Sequence, residues 1–320
     1  ERAPQSGQEC VKIEADRSQR HQVGTTAWHA SRQSRLKEHR VFERIAGALF
    51  RAFLVGMLVI APALALRAYC DFPPELVLFV GIIAGALTFI EYNSHYPSIV
   101  EFRDAPPINR LRFAAVFLSI FCLTLLARQD LAPTNLSVLV SHFATMIGKL
   151  LDFPFSPVRL IVLMLPQDAD IGLYNAVRAA SGMAYFVCMT IMLGFLITVR
   201  GLRWPNLHHS AFNVWTNLPL FDPTTGGDVV ARLVRDARVN IIAGILLPFL
   251  IPAVVKLFSD VLDPYLLANP LTLIWTMTAW AFLPASMIMR GIAMARIAEM
   301  IATQRRRTTA QPAQDAAQTA

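Results

Sequence analysis

Glu91, His95, Glu101 and Asp104 put three carboxylates and an imidazole into one short stretch, EYNSHYPSIVEFRDAPPINR, from Glu91 to Arg110. These groups hold divalent metals and move protons, so a metal or acid–base site is the first chemistry to weigh. Their spacings of four, six and three residues match no established ligand pattern, and no second histidine cluster adjoins them. A structural reading explains more. Glu91 and His95 are one helical turn apart at the end of an apolar run, and Pro97, Pro106 and Pro107 then stiffen a loop dense in both charge signs. Such a loop predicts a docking surface for a protein partner, formed by Glu91, His95, Glu101, Arg103 and Asp104.

A second unusual stretch covers 206–238, NLHHSAFNVWTNLPLFDPTTGGDVVARLVRDAR. His208 and His209 are adjacent, so on a regular helix they diverge and do not share one ion. TTGGD lacks the GK[ST] ending of a phosphate-cradling loop, and Asp228 would put negative charge where the phosphate sits. The segment predicts a glycine turn followed by an Asp228-capped amphipathic helix. Val229, Val230, Leu233, Val234 and Ala237 form its apolar side, opposite Arg232, Arg235 and Arg238. Trp215, with Phe102, Phe212 and Phe221, supplies aromatic anchors of the kind that dominate interfaces, so Trp215 joins the predicted docking surface. No Gly-x-Ser-x-Gly, no HExxH and no nucleophile–base pair occurs. The expectation is a non-enzymatic protein with no catalytic residue, no metal site and no cofactor.

These loops need elements to position them, and composition says which. The chain is 55% hydrophobic and 16% charged with mean hydropathy +0.46; soluble domains carry about 25% charged residues. So much apolar surface must face lipid. The net charge of +7 is concentrated in tails and loops, and no basic run is interleaved with aromatics, so nucleic-acid binding is rejected. The four cysteines form no CxxC and predict no disulfide framework.

Six apolar runs (46–66, 75–91, 111–128, 179–199, 239–258 and 270–290) are long enough to cross about 30 Å of hydrocarbon, the third only if Arg112 and Arg128 snorkel. The fold class is therefore all-α, a polytopic transmembrane helix bundle over 45–302. A polar tail (1–44) precedes it and a disordered tail (303–320) follows. With the N-terminus inside, 22 of the 29 basic residues lie on the inner side and four on the outer, so both termini are expected in the cytoplasm. The near-exclusive use of Arg over Lys fits a GC-rich bacterial source, so the expected location is a bacterial inner membrane. In the outer loop, the periodicity of LSVLVSHFATMIGKLLD predicts an amphipathic helix near 136–151 lying in the interface. VRLIVLML (158–165), set between prolines, is a re-entrant or surface piece, and the alternative is a broken seventh span over 136–165.

Packing signals complete the reading. Ala48, Ala52 and Gly56 in the first span, with Gly81 and Gly85 in the second, form small-residue stripes that predict a close antiparallel hairpin. Arg51 is expected either to snorkel or to pair with Glu91 across that hairpin. Pro248 and Pro252 kink the fifth span and free backbone carbonyls. The function expected from all this is an accessory, scaffold or assembly subunit of a larger membrane complex, in contact with lipid and with a cytoplasmic protein partner. The alternative is a small-solute transporter or channel built around the proline kink.

Overall fold

The structure is a computed structural model that describes residues 42–67, 73–94, 98–103, 105–201, 204, 217–219, 221, 226–258 and 264–318. It is all helical, with no strand among the described residues. Among these residues eight α-helices follow one another: α1 (Phe42–Ala65), α2 (Pro74–Asn93), α3 (Ile108–Gln129), α4 (Asn135–Leu151), α5 (Pro157–Met164), α6 (Ile171–Gly201), α7 (Val229–Leu257) and α8 (Pro270–Gln318). Six of them, α1–α3 and α6–α8, are long and apolar enough to cross a membrane, and they coincide with the six expected runs. The protein is a multi-pass membrane protein. The described parts of loops 98–107 and 217–228 and the start of α7 meet the C-terminal parts of α6 and α8 at one end, here called the basic end.

Glycines close the helix pairs. A Cβ on Gly81 would come 3.2 Å from the Gly56 carbonyl oxygen, and one on Gly85 would come 3.1 Å from that of Ala52. The α1–α2 hairpin therefore packs backbone to backbone along the expected stripe. The same device recurs where no small-residue stripe announces it. Gly244 and Gly291 seat α7 on α8. A Cβ added at either would lie only 2.7 Å from a carbonyl oxygen, that of Pro284 and Ala237 respectively. Between α4 and α6, a Cβ on Gly182 would lie 2.5 Å from Gly148 Cα.

Helix α4 forms where its periodicity places it, opened by a reciprocal Thr134–Ser137 capping box. What it turns inward is its small and polar side. Ser137, Ala144 and Gly148 are buried together with one large apolar residue, Ile147, whereas Leu136, Leu139, Phe143, Met146 and Leu150 are exposed. The polar side thus serves protein packing and the apolar side is left for lipid, as suits an amphipathic helix at a membrane surface. Asp152, just after α4, joins Arg159 of α5 at 3.3 Å and Arg178 of α6 at 3.6 Å.

The proline kink is satisfied from within. Pro252 has no N–H, so the Pro248 carbonyl four residues earlier loses its helical donor. Trp280 of α8 supplies one instead, its indole Nε1–H donating to Pro248 O at 3.2 Å in a buried contact. Trp280→Phe is expected to cost about 1–3 kcal/mol, because it strands a buried carbonyl. Reversible unfolding in detergent would measure this; a loss under a few tenths of a kcal/mol would show that the indole is not the carbonyl's donor.

Two expectations about the ends need comment. Most of the polar tail, residues 1–41, lies outside the described residues. The end 303–320 is expected from its composition to be disordered, but α8 continues helically to Gln318. Its Arg, Ala and Gln are strong helix formers, and extending an existing helix avoids the cost of nucleation. Arg305 also holds the extension to Asp228 at 2.5 Å.

Candidate functional site

Loop 98–107 begins by using up Glu91. The carboxylate of Glu91, at the end of α2, accepts the amides of Ser98 (3.0 Å), Ile99 (3.0 Å) and Val100 (3.2 Å), and the Ser98 hydroxyl as well. The chain after α2 is thereby wrapped around one anion. Arg103 then donates to Ser94 O at 2.6 Å and Glu91 O at 3.3 Å, closing the C-terminal end of α2 with positive charge where the helix dipole is negative.

Between these, Phe102 turns into the bundle. Its φ of 54° is left-handed, a conformation that costs a non-glycine residue of order 1–3 kcal/mol. Its ring is fully buried, which is worth about 1.5–3 kcal/mol and offsets the strain. It meets Trp204 at 6.3 Å, and Trp204 in turn meets Phe195 of α6 at 5.5 Å. The indole N–H of Trp204 donates to Pro106 O at 2.7 Å, and Arg296 of α8 donates to Trp204 O at 3.1 Å. Phe102 N–H donates to Asn217 O at 2.7 Å. Phe221 and Leu218 belong to the same buried cluster. The two expected docking loops therefore do meet, but in the described parts they meet each other and the bundle.

Beneath this cluster lies a buried ion pair. Glu101, 5% exposed, accepts two hydrogen bonds from Arg290 of α8, at 2.6 Å from Nε and 2.8 Å from Nη2. Arg290 Nη1 donates to Asn240 Oδ1 at 3.0 Å, and Asn240 Nδ2 donates to Asp236 O at 2.8 Å, so α7 is included. Asn109 of α3 donates to Glu101 O at 2.7 Å. Arg112 lies on the same level, giving Nη2 to Ser286 O at 3.3 Å, while its buried Nε has no partner among the described residues. Glu101 thus ties the 98–107 loop to α8 and, through Arg290, to α7 by its carboxylate, and to α3 by its backbone carbonyl.

Several expectations change accordingly. Arg51 and Glu91 do not pair: Arg51 donates to Gly47 O at 2.8 Å and lies 4.8 Å over the Tyr92 ring, while Glu91 is occupied by the loop amides. Across the hairpin, Arg51 meets the aromatic face of Tyr92, the residue after Glu91. Phe102 and Phe221 are not exposed anchors, because their rings fill the core of this end. Glu91, Glu101 and Arg103 are structural in their contacts. His95, Asp104 and Trp215 lie outside the described residues, as do His208, His209 and Phe212. Asp228 does cap α7, accepting from Ala231 N at 3.2 Å, with Gly227 at φ 101° ahead of it. Its carboxyl is held below the usual range, chiefly by its hydrogen bond to Arg305. Leu233 and Ala237 are buried beneath it, as the apolar side requires.

Sequence reasoning missed Arg290, Asn240 and Trp204. Arg290 enters the sequence reading only as an inner basic residue, although it stands between SMIM and GIAMA in a stretch otherwise uncharged from 270 to 295. That interruption was the available signal.

Among the described residues, a cavity and a groove lie open at this end. A cavity of about 440 Å³ opens between α1, α2 and α3, bordered by Arg51, Tyr92, Arg103, Asn109 and Arg110. A wider groove of about 1060 Å³ between α6, α7 and α8 is edged by Arg200, Arg296, Glu299, Gln304 and Arg307. Among the described residues no group of three or more His, Cys, Asp and Glu is disposed to hold a metal ion. No protein-family model, curated protein or solved structure matches the chain.

Proposed function

We propose that the protein is a non-enzymatic accessory or scaffold subunit of a membrane complex, with its basic end in the cytoplasm of a bacterial inner membrane. The observation that carries this reading is the use of the acidic groups at that end. Glu91 and Glu101, the carboxylates best placed for chemistry, are bound to loop amides and to Arg290. Buried polar groups so satisfied hold a surface in one shape. The surface they hold includes the groove of Arg200, Arg296, Glu299, Gln304 and Arg307, whose mixed charge suits a soluble protein segment or partner domain.

Less supports a transporter or channel. Pro248 and Pro252 are its best feature, and the carbonyl that Pro252 frees is taken by Trp280. Extraction of the full-length protein from its native membrane in lipid nanodiscs, followed by mass spectrometry, tests the choice. The expected result is a stoichiometric partner that is lost when Glu299→Lys and Arg307→Glu reverse two charges of the groove. A chain recovered alone with a bound small solute would overturn the scaffold reading.

A further inference from the structure

We infer that the α1–α3 face holds one anionic phospholipid, its phosphate at Arg51 and Arg110 and one acyl chain along the membrane-facing groove. Two adjacent spaces make the site. The upper is the 440 Å³ cavity at the basic end, bordered by the guanidinium-bearing residues Arg51, Arg103 and Arg110 with Tyr92 and Asn109. None of the described residues that border it is acidic. The lower is a cavity of about 530 Å³ lined by Leu54, Leu58, Ala61, Phe117 and Phe121 among others, apolar apart from Thr124 and Arg128. Leu54 and Phe113 border both. A ligand filling them must be anionic at one end and hydrocarbon along the rest.

The dimensions fit the same molecule. From Leu54 to Ala65 the groove follows α1 for about 16 Å by helix rise, close to one leaflet of a ~30 Å hydrocarbon layer. Arg51 sits at the top, one turn inside the first span, and its guanidinium is already fixed over the Tyr92 ring. Arg103 is fixed by its bonds to the end of α2. A preset cluster of this kind binds a phosphodiester with little loss of side-chain freedom. Basic pockets between spanning helices are where acidic head groups bind. A helix from a second protein would fill the apolar groove equally well, but its apolar face would offer nothing to the guanidinium groups of Arg51 and Arg110.

The test uses the whole protein in detergent with dioleoylphosphatidylglycerol, dioleoylphosphatidylcholine and inorganic phosphate as probes, read by native mass spectrometry and by thermal shift. Retention of the anionic lipid at least about fivefold above the zwitterionic one is expected, with inorganic phosphate giving no shift. Arg51→Gln with Arg110→Gln should lower affinity for the anionic lipid about fivefold per guanidinium removed. Arg235→Gln, on an exposed side chain away from the groove, should leave it unchanged. Ala61→Trp fills the apolar part without changing charge, and should reduce binding of the anionic lipid if the paired arginine variant fails to fold. Equal retention of the two lipids would overturn the inference. So would a shift with inorganic phosphate as large as that with lipid, or full anionic-lipid binding in Ala61→Trp. Protein dimers cross-linked through a cysteine at position 61 would show that a second copy occupies the groove instead.

Discussion

Glu101→Ala is expected to lower the stability of the folded protein by about 3–5 kcal/mol, because it leaves the Arg290 guanidinium without its bidentate partner at a largely buried position. Arg290 bonds both carboxylate oxygens at 2.6 and 2.8 Å, and Asn240 takes only its third nitrogen. The loss therefore spreads to the loop, α8 and, through Asn240, α7. Glu101→Leu combined with Arg290→Met should recover part of it, since an apolar pair of similar volume needs no desolvation of charge. Chemical unfolding in detergent, followed through tryptophan fluorescence, reads both variants. A single-variant loss below about 1 kcal/mol would mean that water already reaches the pair and carries its charge.

The second large effect falls on Gly182. Ala at this position places a methyl 2.5 Å from Gly148 Cα and 2.9 Å from its nitrogen, atoms of a backbone that has no rotamer with which to yield. Gly182→Ala should cost about 1–3 kcal/mol, and Gly182→Leu should abolish the folded yield by prising α4 from α6. Gly194, in the same helix, has nothing within 4 Å of its added Cβ. Gly194→Ala should therefore stabilise by up to about 1 kcal/mol through helix propensity alone. Opposite signs within one helix separate close packing from a general effect of glycine. The same sign at both sites would discard the packing account.

The six spans were legible because burial in lipid is decided by local composition, read about 20 residues at a time. The α1–α2 hairpin was legible for a related reason: its glycines and alanines recur every four residues on adjacent spans. The Asp228 cap was legible from three consecutive residues, Gly226 to Asp228. The Glu101–Arg290 pair was not, because 189 residues separate its partners and no periodicity links them. Phe102 misled for a physical reason too: a phenylalanine among charges looks exposed until a left-handed backbone turns it inward. For α4 the periodicity placed the helix, but which of its sides packs against α6 was not legible. In water the polar side of a helix faces out, but beside lipid, small polar residues are the ones that let helices touch.

Helix α8 has a consequence for the order of events during synthesis. It brings Trp280 to the Pro248 carbonyl, Arg290 to Glu101 and Asn240, Arg296 to Trp204, and Arg305 to Asp228. Each of those groups leaves the ribosome earlier and waits for its partner. A nascent chain that stops before α8 therefore carries a buried carboxylate, an unbonded carbonyl at membrane depth and an uncovered aromatic cluster, all at once. Helix α8 is thus the element on which the bonding of the helices before it waits.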